Sequence, residues 1–207
     1  MNLAVDQNIR SVFPPGRFEF KPSEPLSDDE FFELCQRVAP LHLERDPDGT
    51  IVVMPPAGSY SSNRSSEISS QIRNWVRREG DGAFFDASGG FRLPNGATRA
   101  PDAAWVAPSK LVPLTEDEKE RFLPLSPDFA VEVRSQSDRR ADLEAKMEEY
   151  IENGTRLGWL VDPYEETVTV YHEDGAVEEV HKPSTLSAAP VLPGFECDLS
   201  YVWNPNF

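Results

Sequence analysis

The spacing of apolar residues changes period several times along this chain, and each change marks an element. Residues 1 to about 25 are rich in proline and polar groups, which predicts an extended arm ahead of a single domain over residues 26–207. Ser27-Asp28-Asp29-Glu30 has the form of a capping box, and Phe31, Leu34, Cys35 and Val38 continue it at helical spacing. Leu41 to Arg45 and Thr50 to Met54 read as a hairpin around Asp46-Pro47-Asp48-Gly49. A second helix is predicted from about Ser61 to Arg78, because Ile68, Ile72, Trp75 and Val76 form one stripe and Gly80 stands just past its end. Strands follow near Ala83 to Asp86 and Gly89 to Leu93, then the turn Pro94-Asn95-Gly96 and a strand around Asp102. From Ser109 to Pro127 the chain is charged and flanked by proline, a long excursion with one short helix. Leu143, Met147, Tyr150 and Ile151 then predict a third helix from Asp138 to Asn153, capped by Ser135, Ser137 and Asp138 and closed by Gly154. Gly158 to Asp162, Thr167 to Tyr171 and Ala176 to Val180 complete the strands. Helix, antiparallel strands, then strand-helix-strand is the order of an α/β domain with a mixed sheet.

Two carboxylates break this pattern. Around Glu132, Phe129, Val131 and Val133 fall on one strand face and Ala130, Glu132 and Arg134 on the other. Asp102 lies in Arg-Ala-Pro-Asp-Ala-Ala-Trp-Val, with Ala104 on its face and Ala103 and Trp105 opposite. A carboxylate in an apolar strand costs several kcal/mol unless it is paired or binds a metal. If the two strands are neighbours, Asp102 and Glu132 converge on one divalent ion with hard oxygen ligands, as Mg²⁺ prefers. Simpler readings stand beside this one: Asp102 capping the turn after Pro101, Glu132 pairing with Arg134 or Arg139, and Asp162 opening the turn at Pro163.

Pro101-Asp102 followed by Glu132-Val133-Arg134 resembles the signature of the PD-(D/E)XK nucleases, and the surroundings are similar to the Uma-type restriction endonucleases, a family catalogued largely as a domain of unknown function. The similar stretches are Val53 to Gly58, Gly89 to Gly96, Pro101 to Val106, Val131 to Ser135, and Lys146-Met147 through Asn153-Gly154 into Gly158 to Pro163. The resemblance implies a restriction-endonuclease-like core, a mixed β-sheet flanked by helices, with an extra N-terminal helix and hairpins. It implies a DNA endonuclease in which Asp102 and Glu132 hold Mg²⁺ or Mn²⁺. The position expected to hold lysine in the acid-x-Lys element is Arg134, and arginine is a poor proton shuttle. The resemblance transfers that role to Lys146, which lies about 60° from Leu143 on the flank of the third helix. A helix-flank lysine by itself would more simply extend into water. Glu67 matches a helix glutamate that joins the metal site in the family, although it stands about 100° off Ile68. Gln71 and Arg64 share its flank and, with Arg134, are candidates for contacting substrate.

The charge pulls against a nucleic-acid enzyme. The 207 residues carry a net charge of −16, which argues against a protein that grips DNA over its whole surface. The arginines are not evenly spread: residues 60–110 hold seven Lys/Arg against five Asp/Glu, and the rest of the chain holds 13 against 31. The acidic balance therefore keeps a second reading open, a catalytically inactive nuclease fold that binds a partner protein through its acidic surface. Two distant cysteines and three scattered histidines make neither a disulfide framework nor a zinc site, and no glycine-rich nucleotide loop follows a strand. No apolar run reaches membrane-span length, so a soluble cytoplasmic protein without membrane contact or nucleotide cofactor is expected. Cutting both strands of a duplex takes two sites, so a homodimer is expected as well, aided by Phe13, Phe18 and Phe20 of the arm.

Overall fold

The computed structural model describes residues 18–207 apart from Pro55 and Gly80. Phe13 and Gly80, which entered the expectations above, lie outside the described residues. In chain order the first half comprises β1 (Phe18–Phe20), α1 (Asp28–Val38), β2 (His42–Arg45), β3 (Ile51–Met54), α2 (Ser59–Glu79), β4 (Ala83–Asp86), β5 (Phe91–Arg92), β6 (Thr98–Arg99) and β7 (Ala103–Val106). The second half comprises α3 (Pro108–Leu111), α4 (Glu116–Lys119), β8 (Phe129–Val133), α5 (Arg140–Glu152), β9 (Leu157–Asp162), β10 (Thr167–His172), β11 (Val177–His181), β12 (Thr185–Ser187), β13 (Glu196–Asp198) and α6 (Ser200–Trp203).

The central sheet has the order β11-β10-β9-β8-β7-β4 and is antiparallel except where β8 runs parallel to β9. That parallel pair is what requires α5, because parallel neighbours need a crossover. Both faces of the sheet are covered. Phe129, Val131 and Val133 of β8 join Trp159 and Val161 of β9 against Ile68, Ile72 and Trp75 of α2. Ala130 and Leu160, one residue out of step, face Met147 and Tyr150 of α5 on the other side. The alternation read around Glu132 is thus the alternation of a strand with a helix on each face, and it directs Glu132 toward α5.

A second sheet, in the order β1-β3-β2-β6-β5, stands beside the first, and β12-β13 form a separate ribbon. Buried Arg99 of β6 joins this sheet to α5, its guanidinium 2.8 Å from Asp46 and its Nε 2.6 Å from Glu149. On the opposite face of the sheet, where Arg45 and Arg92 both stand beside Thr98, the two arginines pair with Asp28 in the first turn of α1, and the Ser27–Glu30 capping box holds that turn. Of the arm, Phe18–Phe20 pairs antiparallel with Ile51–Val53.

Boundaries differ from the sequence reading where a side chain has a better partner than the helix. Asp138 accepts the N–H of Ser135 and Ser135 bonds Ser137, so neither serine nor Asp138 caps α5, which starts at Arg140 with no side-chain cap on Arg139. The excursion after β7 contains two four-residue helices rather than one. The first opens on Pro108 and the second on a Thr115–Glu118 capping box. Among the described residues no helix is long and apolar enough to cross a membrane.

One backbone position at the edge of the central sheet permits a test of packing. Gly82 has φ +68°, and a Cβ there would lie 2.4 Å from the Val106 carbonyl oxygen and 2.5 Å from Trp105 Nε1, which bonds the Asp81 carbonyl. Gly82→Ala should cost about 2–4 kcal/mol from backbone strain and displaced indole. The melting temperature should fall by roughly 5–15 °C. An unchanged melting curve would show that the β4–β7 edge yields freely.

Candidate active site

The site is assembled where β7 begins and β8 ends. Ala103 stands opposite Val131 and Ala104 opposite Ala130, so one further step in the same antiparallel register sets Asp102 opposite Glu132. Side chains directly opposite one another share a face, with their Cβ atoms roughly 5 Å apart. Asp102 is fixed locally: its Oδ2 accepts the Val133 N–H at 2.8 Å, and its carbonyl accepts the Ser69 hydroxyl from α2 at 3.4 Å.

Lys146 enters from α5. Its Nζ lies 2.8 Å from Glu132 Oε1 and 2.7 Å from Glu44 Oε1 of β2. Helix α5 turns this lysine inward because Met147 and Tyr150 bury the adjoining stripe, and the ammonium finds two carboxylates rather than water. Tyr150 completes the pocket by donating its hydroxyl to Glu132 Oε1 at 3.2 Å.

The electrostatics divide the three acids. Burial pushes the Glu132 carboxyl up to about 8, the nearby charges of Asp102 and Glu44 adding to the effect against the pull of Lys146. Burial raises Asp102 as well, against the Val133 N–H and Lys146. Glu44 goes the other way: despite its burial, Lys146, Arg99 and the Ala100 N–H hold it below the usual carboxylate range. For Lys146, burial alone would favour the neutral amine, yet Glu132 and Glu44 hold it above an ordinary lysine. The ammonium is therefore matched by ionised Glu44, and half-buried Asp102 with buried Glu132 forms an acidic pair short of positive charge.

The other candidates lie around this centre. Arg134 does not turn to Glu132. Its Nη1 lies 2.8 Å from Asp162 Oδ2 and its guanidinium packs over Tyr164. Asp162 also takes the N–H groups of Tyr164 and Glu165 through Oδ1, so it is both the turn residue expected from Asp-Pro and the partner of Arg134. Arg139 pairs with Asp142. Glu67 accepts from Gln71, and Gln71 clamps both backbone groups of Asp198 at 2.8 Å, which ties α2 to β13. Arg64 donates Nε to the Val202 carbonyl at 2.9 Å. The thiol of Cys197 beneath them is pushed up to about 12 by burial and by the charges of Glu67 and Asp198.

Glu44 and Tyr150 are site residues that the sequence reading missed. The signal for Glu44 was available, an acid inside a predicted strand, but a two-stranded hairpin reads as solvent-exposed until a neighbour covers it. For Tyr150 the helical stripe marked burial, not the hydroxyl's partner.

Asp102 and Glu132 offer the hard oxygen donors of a magnesium-type ion, and Mg²⁺ commonly takes one or two carboxylates with water and phosphate oxygens completing the shell. Among the described residues no group of three or more His, Cys, Asp and Glu side chains is placed to hold an ion. The donor set thus fits an ion shared with substrate and does not fit a closed structural site.

This mixed sheet between helices, with its acidic pair at the junction of β7 and β8, is a restriction-endonuclease-like domain. The chain belongs to the Uma2 family, described as "Putative restriction endonuclease", whose pattern matches residues 28–200. A crystal structure of "a putative nuclease belonging to DUF820 from Anabaena variabilis ATCC 29413" superposes with a TM-score of 0.70 at 21% identity, over 86% of this chain and 98% of that one. No curated protein matches the chain.

Proposed function

We propose that the protein is a Mg²⁺- or Mn²⁺-dependent endonuclease that hydrolyses phosphodiester bonds of DNA. The observation that supports this best is the acidic pair of half-buried Asp102 and buried Glu132, opposed across β7 and β8 and short of positive charge, with the Lys146 ammonium in the same pocket. Membership of a family described as "Putative restriction endonuclease" supports nuclease chemistry. A divalent ion held by Asp102 and Glu132 would polarise the scissile phosphate and lower the pKa of an attacking water.

The chain's own groups have separable parts in this reading. Val133 N–H keeps Asp102 in one orientation, and Tyr150 with Lys146 does so for Glu132. Lys146, held protonated by Glu44, serves as a fixed positive charge that offsets charge developing on the phosphoryl oxygens as water adds and the ester oxygen leaves. It does not serve as a proton acceptor. Arg134, neutralised by Asp162, orders the rim of the site.

Purified protein should nick supercoiled plasmid with Mg²⁺ or Mn²⁺ and leave it intact with EDTA. Calorimetric titration should show divalent binding in the millimolar range or tighter, lost in Asp102→Asn. Absence of both binding and cleavage would sink the enzyme and favour the second reading, in which the charge of −16 serves a partner protein. The nuclease reading also carries a homodimer, because one site cuts one strand at a time. Light scattering across micromolar concentrations should give twice 23.2 kDa. A monomer throughout would restrict the enzyme to nicking or to single strands.

A further inference from the structure

Five side chains at the rim of the site form a ladder of rings and guanidinium groups, of which the proposed chemistry uses Arg134 alone, to order that rim. Arg64 of α2 lies with its guanidinium 5.5 Å from the ring centre of Tyr60, one turn earlier on the same helix, and 5.9 Å from that of Tyr164. The Arg134 guanidinium lies 5.6 Å from the ring centre of the same Tyr164, and Phe207 packs on Tyr60 with ring centres 5.1 Å apart. Tyr60, Tyr164 and Phe207 are 55%, 46% and 67% exposed, which is unusual for three large rings in one cluster.

The ladder is anchored to the reacting centre through the backbone. Arg134 follows Val133, whose N–H holds the Asp102 carboxylate, and Arg64 stands five residues before Ser69, whose hydroxyl meets the Asp102 carbonyl. Five helical residues span about 7.5 Å. Arg64 also has charge to spare. Its Nε is used on the Val202 carbonyl, and among the described residues no carboxylate pairs with it and no acceptor meets its two Nη groups.

We propose that this ladder is the docking platform for an unpaired stretch of the DNA substrate beside the scissile phosphate, with bases stacking on Tyr60 and Tyr164 and a backbone phosphate meeting the free Nη groups of Arg64. Stacking on exposed rings with an interleaved guanidinium is how proteins hold single strands without reading sequence. Charge decides for an unpaired strand over a duplex. A chain of −16 cannot hold a duplex by widespread phosphate neutralisation, whereas stacking needs no net positive surface. The choice of DNA as ligand rests on the nuclease reading, but the stacking itself does not need cleavage.

The test is therefore run in EDTA, where no hydrolysis occurs. A labelled 15-nucleotide single strand, a duplex with an unpaired flap and a blunt duplex, each with 2-aminopurine in the unpaired or matching position, are titrated against the full chain. Wild type should bind the first two about tenfold or more tighter than the blunt duplex and quench 2-aminopurine fluorescence on binding. Tyr60→Leu/Tyr164→Leu should lose at least about tenfold in affinity together with the quench, and Tyr60→Phe/Tyr164→Phe should retain both, since the phenyl ring keeps its stacking face. Equal binding by wild type and the leucine variant, or a preference for blunt duplex, would overturn the platform. Quenching without metal-dependent cleavage would remove the nuclease reading and leave the platform. Cleavage that is indifferent to both leucines would do the reverse.

Discussion

Asp102→Asn and Glu132→Gln should each lower metal-dependent DNA cleavage by about 10³-fold or more while the protein remains folded. The loss follows from removing one of the two opposed carboxylates that would share an ion with the phosphate, together with the charge stabilisation it provides. Stability should survive for a reason particular to this pocket. Burial holds the Glu132 carboxyl at about 8, so at neutral pH the metal-free protein already tends to carry a neutral side chain there, and glutamine copies it. Either amide also removes whatever negative charge Asp102 and Glu132 still share, so the melting temperature should be unchanged or higher. Single-turnover cleavage alongside melting curves makes the comparison. Activity that persists in both variants would mean that it belongs to another site or to a contaminant.

Lys146→Met should damage both stability and activity, and the two losses have different origins. Lys146 is the shared partner of Glu44 and Glu132, and its side chain is only 12% exposed. Breaking a buried ion pair by removing one partner costs about 3–5 kcal/mol, because the other charge is left uncompensated. For a chain of this size the melting temperature should drop by roughly 6–20 °C. Activity measured well below that melting point should still fall by about 10²–10³-fold, the loss expected when a preorganised charge is withdrawn from a developing anion. Lys146→Met/Glu44→Gln separates the effects: removing both charges should restore much of the stability and none of the activity. Cleavage by Lys146→Met at the wild-type rate would leave the acidic pair standing and take the lysine out of the mechanism.

What was legible in the sequence was whatever depends on periodicity along one segment. The two-residue alternation from Phe129 to Val133 correctly separated the faces of β8, since those side chains must alternate wherever the strand pairs. The helical stripe Leu143, Met147, Tyr150 and Ile151 located the helix that carries Lys146 for the same local reason. Capping boxes are local too, which is why Ser27–Glu30 could be recognised, whereas Ser135, Ser137 and Asp138 were misread because the turn before α5 satisfied them first. The strand contexts of the two acids, and then the family resemblance, supplied the pairing of Asp102 with Glu132 as an expectation. The register of β7 on β8 supplies it as geometry.

Partner choice across the fold was beyond any such pattern. Glu44 comes from a hairpin about ninety positions before the helix whose lysine it meets, and Arg134, two residues from Glu132 on the same strand face, turns to Asp162 on the neighbouring parallel strand. Gln71, a surface residue by its place on α2, is consumed by the backbone of Asp198. The sequence by itself determined the elements, their buried faces and the presence of acids where water is scarce, because these follow from local spacing and the cost of burying charge. Which cation meets which acid, and whether a ring at the rim faces water or core, was decided only by tertiary structure, since such contacts depend on the register and crossing of segments far apart in the chain.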